Sequence, residues 1–477
     1  MSGVRIDPAV KPVRGEFKPG AWRRRARDEA ASLRHGEPGE GGPGVIERTA
    51  SGGMILASVA FGGSSQPGSL SEAILEALAV PVALVALRGL ALEGRIRGVT
   101  APVAVMALVV VLPLIQLAPL PPFVWEALPG AADRVRSLAL AGADPGWRPV
   151  SLAPWATLNA FLALLPPCAV FLATLRLPWR DLDRMTIGLV AIGLFSLLLG
   201  LVQLFEAEGG GAYLYNVTNL GSPVGLFANR NHEAVFLAAT LPLAAVVGRS
   251  PGMSEGIFLG VSRTAYVLMA VVAIGVTRSR IGIAMGAAGA LFAAVLVVMA
   301  RSGKTPFRGL ALAVAALFGA IAVALFARGP LMDRFAETPT AFRLEAWPTV
   351  MSLAAAHFPL GVGGGGFDRA FQAVEPLRWV AFTAFTHAHN DYLEALVDFG
   401  LPGVVIFLVF LLWLVRSAIA AWSTPRILPR AATCVVFILL TASLTDYPLR
   451  TAALASLFAF ACGVITLAAG RLWSGPS

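Results

Sequence analysis

The chain has 477 residues, 57% of them hydrophobic and only 14% charged, with a mean hydropathy of +0.74 and a formal net charge of +9. These values lie outside the range of soluble domains and mark a polytopic membrane protein. The basic residues are spread along the chain rather than gathered on one soluble face with aromatic partners, which argues against nucleic-acid binding.

Residues 1–50 mix Arg, Glu, Gly and Pro with almost no apolar periodicity. Such a segment cannot bury enough surface to fold, so a disordered basic cytoplasmic tail is expected. It lacks an apolar core followed by a small-residue cleavage site, and no cleavable signal peptide is expected. From residue 51 the sequence offers roughly twelve apolar runs near the 20 residues that a helix needs to span the hydrocarbon core. They lie near 51–63, 70–87, 101–120, 152–175, 185–204, 224–248, 264–277, 281–300, 309–327, 391–415, 431–445 and 451–470, the first and seventh being short. Backbone groups in lipid must pair internally, and these runs are too long and continuous for alternating barrel strands. The expected fold is all-α: a polytopic transmembrane bundle of about twelve spans, nine within 51–327 and three within 391–477, separated by a large outward loop at 328–390.

Basic residues set the orientation. They cluster in the tail, at Arg88, Arg95 and Arg97, at Arg176, Arg180 and Arg184, at Arg249 and Arg263, at Arg301, Lys304 and Arg308, at Arg416, Arg426 and Arg430, and at Arg471. With twelve spans these clusters fall on alternate loops, which places both termini in the cytoplasm and the loops around 63–70, 205–223 and 328–390 outside. Cys168, Cys434 and Cys462 sit inside the apolar runs, with neither metal-ligand spacing nor a disulfide framework.

The polar residues that remain gather on the outer side. Gly225-Leu226-Phe227-Ala228-Asn229-Arg230-Asn231-His232 opens the sixth run with side chains costly to bury unpaired, where Asn229 or Asn231 either caps the helix or contacts a ligand. Thr277-Arg278-Ser279-Arg280 is a tight outer turn whose two arginines run against the positive-inside trend; they either snorkel to lipid phosphates or bind an anion. In the long loop, Arg343-Leu344-Glu345-Ala346-Trp347 starts a helix-like stretch. His357 and the run Gly361 to Phe367 follow, where Gly363 and Gly364 offer either a hinge or a nest of N–H donors. Then come His387-Ala388-His389-Asn390, with Asp391, Tyr392 and Glu394 at the mouth of a span, and Gly400 and Gly403 beyond. A histidine there can accept a proton from an attacking hydroxyl. The only Asp-x-Asp pair, Asp181 and Asp183, lies among Arg180 and Arg184 and reads as interfacial ion pairing; no metal and no cofactor is expected.

His389-Asn390, nine residues, then Gly400-Leu401-Pro402-Gly403 resembles the signature of the O-antigen ligase and polymerase family, bacterial membrane glycosyltransferases acting on polyprenyl-diphosphate-linked glycans. The preceding stretches Gly225 to Asn231, Ser279-Arg280, Arg343 to Trp347 and Gly361 to Phe367 resemble its earlier landmarks, so the resemblance runs from about residue 150 to 445. It implies a metal-independent transfer at the periplasmic face of the inner membrane, from an undecaprenyl-diphosphate-linked glycan to a glycan or to lipid A core. It implies His389 as base and Arg280 and Arg343 as stabilisers of the diphosphate, with Arg278, Asn229, Asn231, Asn390, Gly363 and Gly364 as substrate contacts. A ligase is the favoured reading, a repeat-unit polymerase the nearest rival, and a non-enzymatic lipid or glycan transporter the rival from another class.

Overall fold

The computed structural model describes residues 42–66, 68–206, 210–249, 256–300, 339–379 and 385–473. Its principal helices are α1 (Val45–Phe61), α2 (Leu70–Leu92), α3 (Thr100–Leu117), α4 (Ala131–Leu140), α5 (Pro154–Arg176, interrupted at Leu164), α6 (Trp179–Phe205), α7 (Arg230–Val246), α8 (Ile257–Val276), α9 (Arg280–Ala300), α10 (Pro339–Ala356), α11 (Asp391–Ser423), α12 (Leu428–Ala442) and α13 (Ala452–Trp473). Among the described residues the only sheet is a two-residue antiparallel pairing of Pro119–Leu120 with Arg148–Pro149.

Eight helices, α2, α3, α5, α6, α8, α9, α11 and α13, are long and apolar enough to cross a membrane. The expected count of about twelve is therefore not reached among the described residues. The runs at 51–63, 224–248 and 431–445 form α1, α7 and α12, of 17, 17 and 15 residues, and each falls short in length. The run at 309–327 lies outside the described residues. The helical segment of the first run also starts earlier than residue 51. Helix α1 begins at Val45 because its two charged residues find partners: Glu47 accepts from Arg176 at 2.9 Å and Arg48 lies 3.8 Å from Asp181.

Helix α7 is the axis of the bundle, buried from His232 to Val246. Its alanines let α9 approach closely, and α9 answers with Gly282-Ile283-Ala284-Met285-Gly286, the small-residue spacing that packs helices in lipid. A Cβ on Gly282 would collide with the Ala234 methyl, and one on Gly289 would press on the Ala238 carbonyl, so the two helices meet along their length, first turn against first turn.

The ends of the bundle differ in chemistry. At one end Arg176 joins Glu47 and Glu93, Arg95 reaches Glu93 and the Leu175 carbonyl, Arg184 pairs with Asp181 at 2.7 Å, and Arg426 lies over the Trp179 ring. This gathers basic residues of the α2–α3, α5–α6 and α11–α12 connections, as the alternation of charge along the sequence anticipates. At the other end Leu152 N–H donates to the Val362 carbonyl and Ala228 N–H to the Gly63 carbonyl, while Asp391 N–H donates to the Ser443 carbonyl. Over that end, residues from α10 to the start of α11 build a second apolar cluster of Ala346, Val350, Val362, Phe367, Phe371 and Ala388.

Helix α11 is two helices in line. Gly400 has φ 56° and ψ −143°, which halts the first segment after nine residues. The Pro359 carbonyl occupies the place of a Gly400 Cβ and accepts from Leu401 N–H at 2.8 Å. A residue with a side chain fits neither the dihedrals nor the space.

Candidate active site

The half-helix Asp391–Phe399 carries Asp391, Glu394 and Asp398 at spacings of three and four, hence on one face. That face meets Arg450, in the turn between α12 and α13. Arg450 lies 3.7 Å from Asp391, 3.3 Å from Glu394 and 3.1 Å from Asp398. Burial alone pulls the Arg450 guanidinium down, but the three carboxylates outweigh it and hold it above the ordinary arginine value. It is a permanent cation.

Each carboxylate grips a different piece of this end of the bundle. Glu394 accepts from His387 at 3.0 Å with one oxygen and from Ala388 N–H at 3.0 Å with the other, which fixes the loop entering His389. Asp391 accepts from Ser443 at 2.8 Å. Asp398 accepts from Gly365 N–H at 2.9 Å and Phe367 N–H at 3.0 Å, while Gln116 takes Gly364 N–H at 3.0 Å. Gly363 N–H donates to the Asp398 main-chain oxygen. The donors of Gly365 and Phe367 hold the protein's own Asp398 carboxylate, while those of Gly363 and Gly364 are taken by the Asp398 main-chain oxygen and Gln116, which corrects the expectation that Gly363 and Gly364 present donors to a ligand.

His389 stands at φ 49°, a left-handed conformation uncommon for a residue with a side chain. Its Nδ1 lies 3.6 Å from Asp446, whose side chain is 1% exposed against 21% for the histidine. Tyr447 is the hub of the surrounding rings: His387 stacks on it at 4.1 Å, His389 lies at 5.2 Å, and His232 of α7 meets it edge-on at 5.1 Å. Three of the five histidines in the chain thus converge on one tyrosine. Among the described residues, neither ring nitrogen of His232 has a hydrogen-bond partner.

The other expected residues take distinct places. Asn229 caps α7 by accepting from Asn231 N–H at 2.8 Å, and Asn390 caps α11 by accepting from Tyr392 and Leu393 N–H at 3.0 Å each. Asn231 is half-buried in the first turn of α7. Arg280 is the first residue of α9 and half-buried, whereas Arg278 is exposed at φ 54°. Arg230 likewise opens α7, beside the first turn of α9. A cation at a helix N-terminus opposes the macrodipole. The helix carrying Arg343 is tied to the histidine loop, since Trp347 Nε1–H donates to the Ala388 carbonyl at 3.2 Å. The side chain of Arg343 lies outside the described residues.

Sequence reasoning gave no role to Asp398, Asp446, Tyr447 and Arg450. Their signal was present: Asp398 interrupts an apolar run, and Thr445 to Arg450 is a polar turn between two runs, where ionisable residues mark function. Among the described residues no group of three His, Cys, Asp or Glu side chains is arranged to hold a metal ion. Asp181 is taken up by Arg184 and Arg48.

No curated protein matches the chain. Residues 264–408, from α8 through Arg280, Arg343, the glycine run and His389 to the middle of α11, match the family model described as O-antigen ligase. The match is narrower than the span of the motifs and leaves out both Gly225 to His232 and Asp446 to Arg450, but it bears out the family resemblance: residues 264–408 of this membrane protein are similar to the O-antigen ligase family.

Proposed function

We propose that the chain is a ligase of the bacterial inner membrane that moves a glycan from polyprenyl diphosphate to an acceptor hydroxyl, on lipid A core or another glycan, at the periplasmic end of the bundle. The observation that carries this reading is the pairing of partly exposed His389 with buried Asp446 on a left-handed residue. Such a conformation persists only where the surroundings hold it, and it recurs where geometry is functional. Asp446 on the Nδ1 side orients the ring and favours the proton there, which makes Nε2 the base.

In the reaction the acceptor oxygen attacks the anomeric carbon and gives its proton to His389 Nε2. The bond from that carbon to the diphosphate oxygen breaks, and the electron pair leaves with the diphosphate. Arg280, Arg343 and the N-terminal ends of α7 and α9 meet that charge, so no metal ion is needed. Each well-placed donor is worth about 3 kcal/mol in comparable oxyanion sites. Exposed Arg278 contacts the diphosphate's solvent side, and Asn231 faces the same first turns. Asn229 and Asn390 serve through the helix starts they cap, Gly363 through Asp398 and Gly364 through Gln116. An apolar groove of about 290 Å³, walled by Met106, Phe171, Phe410, Trp413 and Phe458, begins at Leu449 beside Arg450 and offers a berth for the polyprenyl chain.

The test is glycan profiling of a deletion strain complemented with wild type, His389→Ala or Arg343→Ala at equal membrane levels. Restoration by wild type alone, with lipid-linked precursor accumulating in the variants, supports the transferase. Long undelivered polymer then identifies a ligase and single repeats a polymerase. Full restoration by both variants rejects the mechanism and favours a transporter.

A further inference from the structure

Between α3 and α5 the chain makes an excursion, with Arg134, Arg136 and Arg148 against Glu126, Asp133 and Asp144, for which the transfer reaction above has no use. The pairing of Pro119–Leu120 with Arg148–Pro149 closes it. Trp125 forms its floor, 1% exposed, and donates Nε1–H to the Gly146 carbonyl at 3.0 Å. Arg134 of α4 lies 5.2 Å from the centre of that indole and donates to the Pro149 carbonyl at 2.9 Å. Arg148 donates to the carbonyls of Pro145 and Asp144. Both arginines are half-buried. Their acceptors are neutral carbonyls, and among the described residues no carboxylate forms an ion pair with either. Burial, and after it the like charge of Arg148, pulls the Arg134 guanidinium below its ordinary value. Two cations near each other, with no ion pair to either among the described residues, repel, and an arriving anion relieves both burdens.

The opposite wall comes from the scaffold of the candidate active site. His357, just after α10, holds Nδ1 at 3.1 Å from the Leu353 carbonyl, which can only accept, so Nδ1 carries a proton. The ring stands over Gly130, where any Cβ would strike it. Gly361, which completes the wall, donates to the His357 carbonyl at 2.9 Å and begins the run that holds Asp398. The cleft among Trp125, Gly130, Arg134, Pro149, His357 and Gly361 measures about 20 Å³. That admits the oxygens of an anion and keeps a sugar ring outside.

We propose that this cleft is a docking subsite for an anionic group, phosphate or carboxylate, borne by the acceptor saccharide. The assignment to the acceptor rests on the glycosyl-transfer reading; the anion site itself does not. Arg134, in the cleft wall, binds the group and the nearby charge of Arg148, outside the lining, adds to its attraction, while the sugar lies toward His389, so the subsite selects acidic acceptors and sets which hydroxyl is presented.

The test uses the full chain in phosphatidylcholine nanodiscs, with glucose 6-phosphate, glucuronic acid and glucose as calorimetric probes. Both acidic sugars are expected to bind, increasingly weakly with salt, and glucose is not. Arg134→Gln with Arg148→Gln is expected to weaken binding at least tenfold, the double Lys variant to retain part of it, and His389→Ala to bind as wild type. Equal binding by the Gln pair or by glucose overturns the proposal, as does loss in the Lys pair equal to that in the Gln pair. Loss of sugar binding in phosphatidylglycerol nanodiscs overturns it in favour of a lipid-headgroup site. If the Gln pair loses binding yet transfers glycan normally, the acceptor assignment fails while the transferase stands. If His389→Ala transfers normally, the transferase reading fails separately.

Discussion

Arg450 Nη2 lies 3.1 Å from Asp398 Oδ2, and through that contact a residue beyond the ligase-like region holds the glycine run inside it. The same guanidinium reaches Glu394, which grips the His387–Ala388 peptide. One side chain therefore supports both flanks of His389.

Removing it strands three carboxylates in a closed site. Breaking one partner out of a buried ion cluster costs about 3–5 kcal/mol, so Arg450→Met is expected to lower the thermal unfolding midpoint sharply in detergent and to abolish transfer. Arg450→Lys keeps a point charge without the fork and is expected to fall between. Because the guanidinium is held above its ordinary value, its contribution is present below that value and is lost only as pH rises through the raised one. The wild-type minus Arg450→Met difference in midpoint should hence stay level toward alkaline pH, at least to about pH 10. A difference that decays in that range contradicts the assignment.

Gly400→Ala places a methyl on the Pro359 carbonyl and asks an L-residue to keep φ 56°. The backbone conformation alone costs roughly 1–2 kcal/mol, and the collision adds to it. The expected outcome is a lower unfolding midpoint together with loss of transfer, since the half-helix carrying Glu394 and Asp398 loses its angle. A midpoint unchanged from wild type would show that the break is not needed.

How far these elements could be read beforehand depends on what reports them. The long spans were legible because lipid enforces long apolar runs. Helices α1 and α7 were legible as segments, but their lengths were not, since an apolar run does not say whether it touches lipid or is sheathed by neighbours, as α7 is. The fold of residues 118–153, with α4 and the Arg148 strand, gave no periodic signal over its short elements. At the site, His389 stood out by its company, whereas Asp446 and Arg450 lie about sixty residues away in sequence and are joined to it by the packing of α11 against α12 and α13. Asn229 carries two readings and turns out to cap a helix, and Asn390, expected only as a substrate contact, caps one as well.

His389→Gln removes the base and keeps a polar side chain of similar reach. General-base loss typically costs about 10²- to 10⁴-fold, so kcat for glycan transfer is expected to fall by that order while donor KM changes little. Asp446→Asn keeps the shape and removes the orienting charge; it is expected to lower kcat without raising KM. A purely structural role for Asp446 would raise KM or cost folded protein instead, and the split is read by steady-state kinetics on purified enzyme.

Gln203 is fully buried and secures the loop leading into α7. Its Oε1 accepts from Val224 and Gly225 N–H at 2.9 and 2.8 Å, and its Nε2 donates to the carbonyls of Ala212 and Gly225. Gln203→Leu has nearly the same volume but leaves two buried N–H groups unmet, each worth about 1–3 kcal/mol. Lower stability is expected, with faster proteolysis in residues 212–228; equal protease resistance would place the loop's restraint elsewhere.

Arg278 and Arg280 separate an exposed cation from one set at a helix start. Arg280 opens α9, whose own N-terminus already repels it, and its first turn adjoins that of α7. A cation kept there against the dipole is stabilised when a diphosphate arrives, and more so as the leaving group gains charge. Arg280→Gln is expected to lower kcat/KM by about 10²-fold or more, with most of the loss in kcat. Arg278→Gln removes a solvent-screened charge worth under about 1 kcal/mol, a change of roughly fivefold at most. If the two variants lose activity equally, the diphosphate lies across the turn rather than at the end of α9, and Arg278 shares the work of stabilising it.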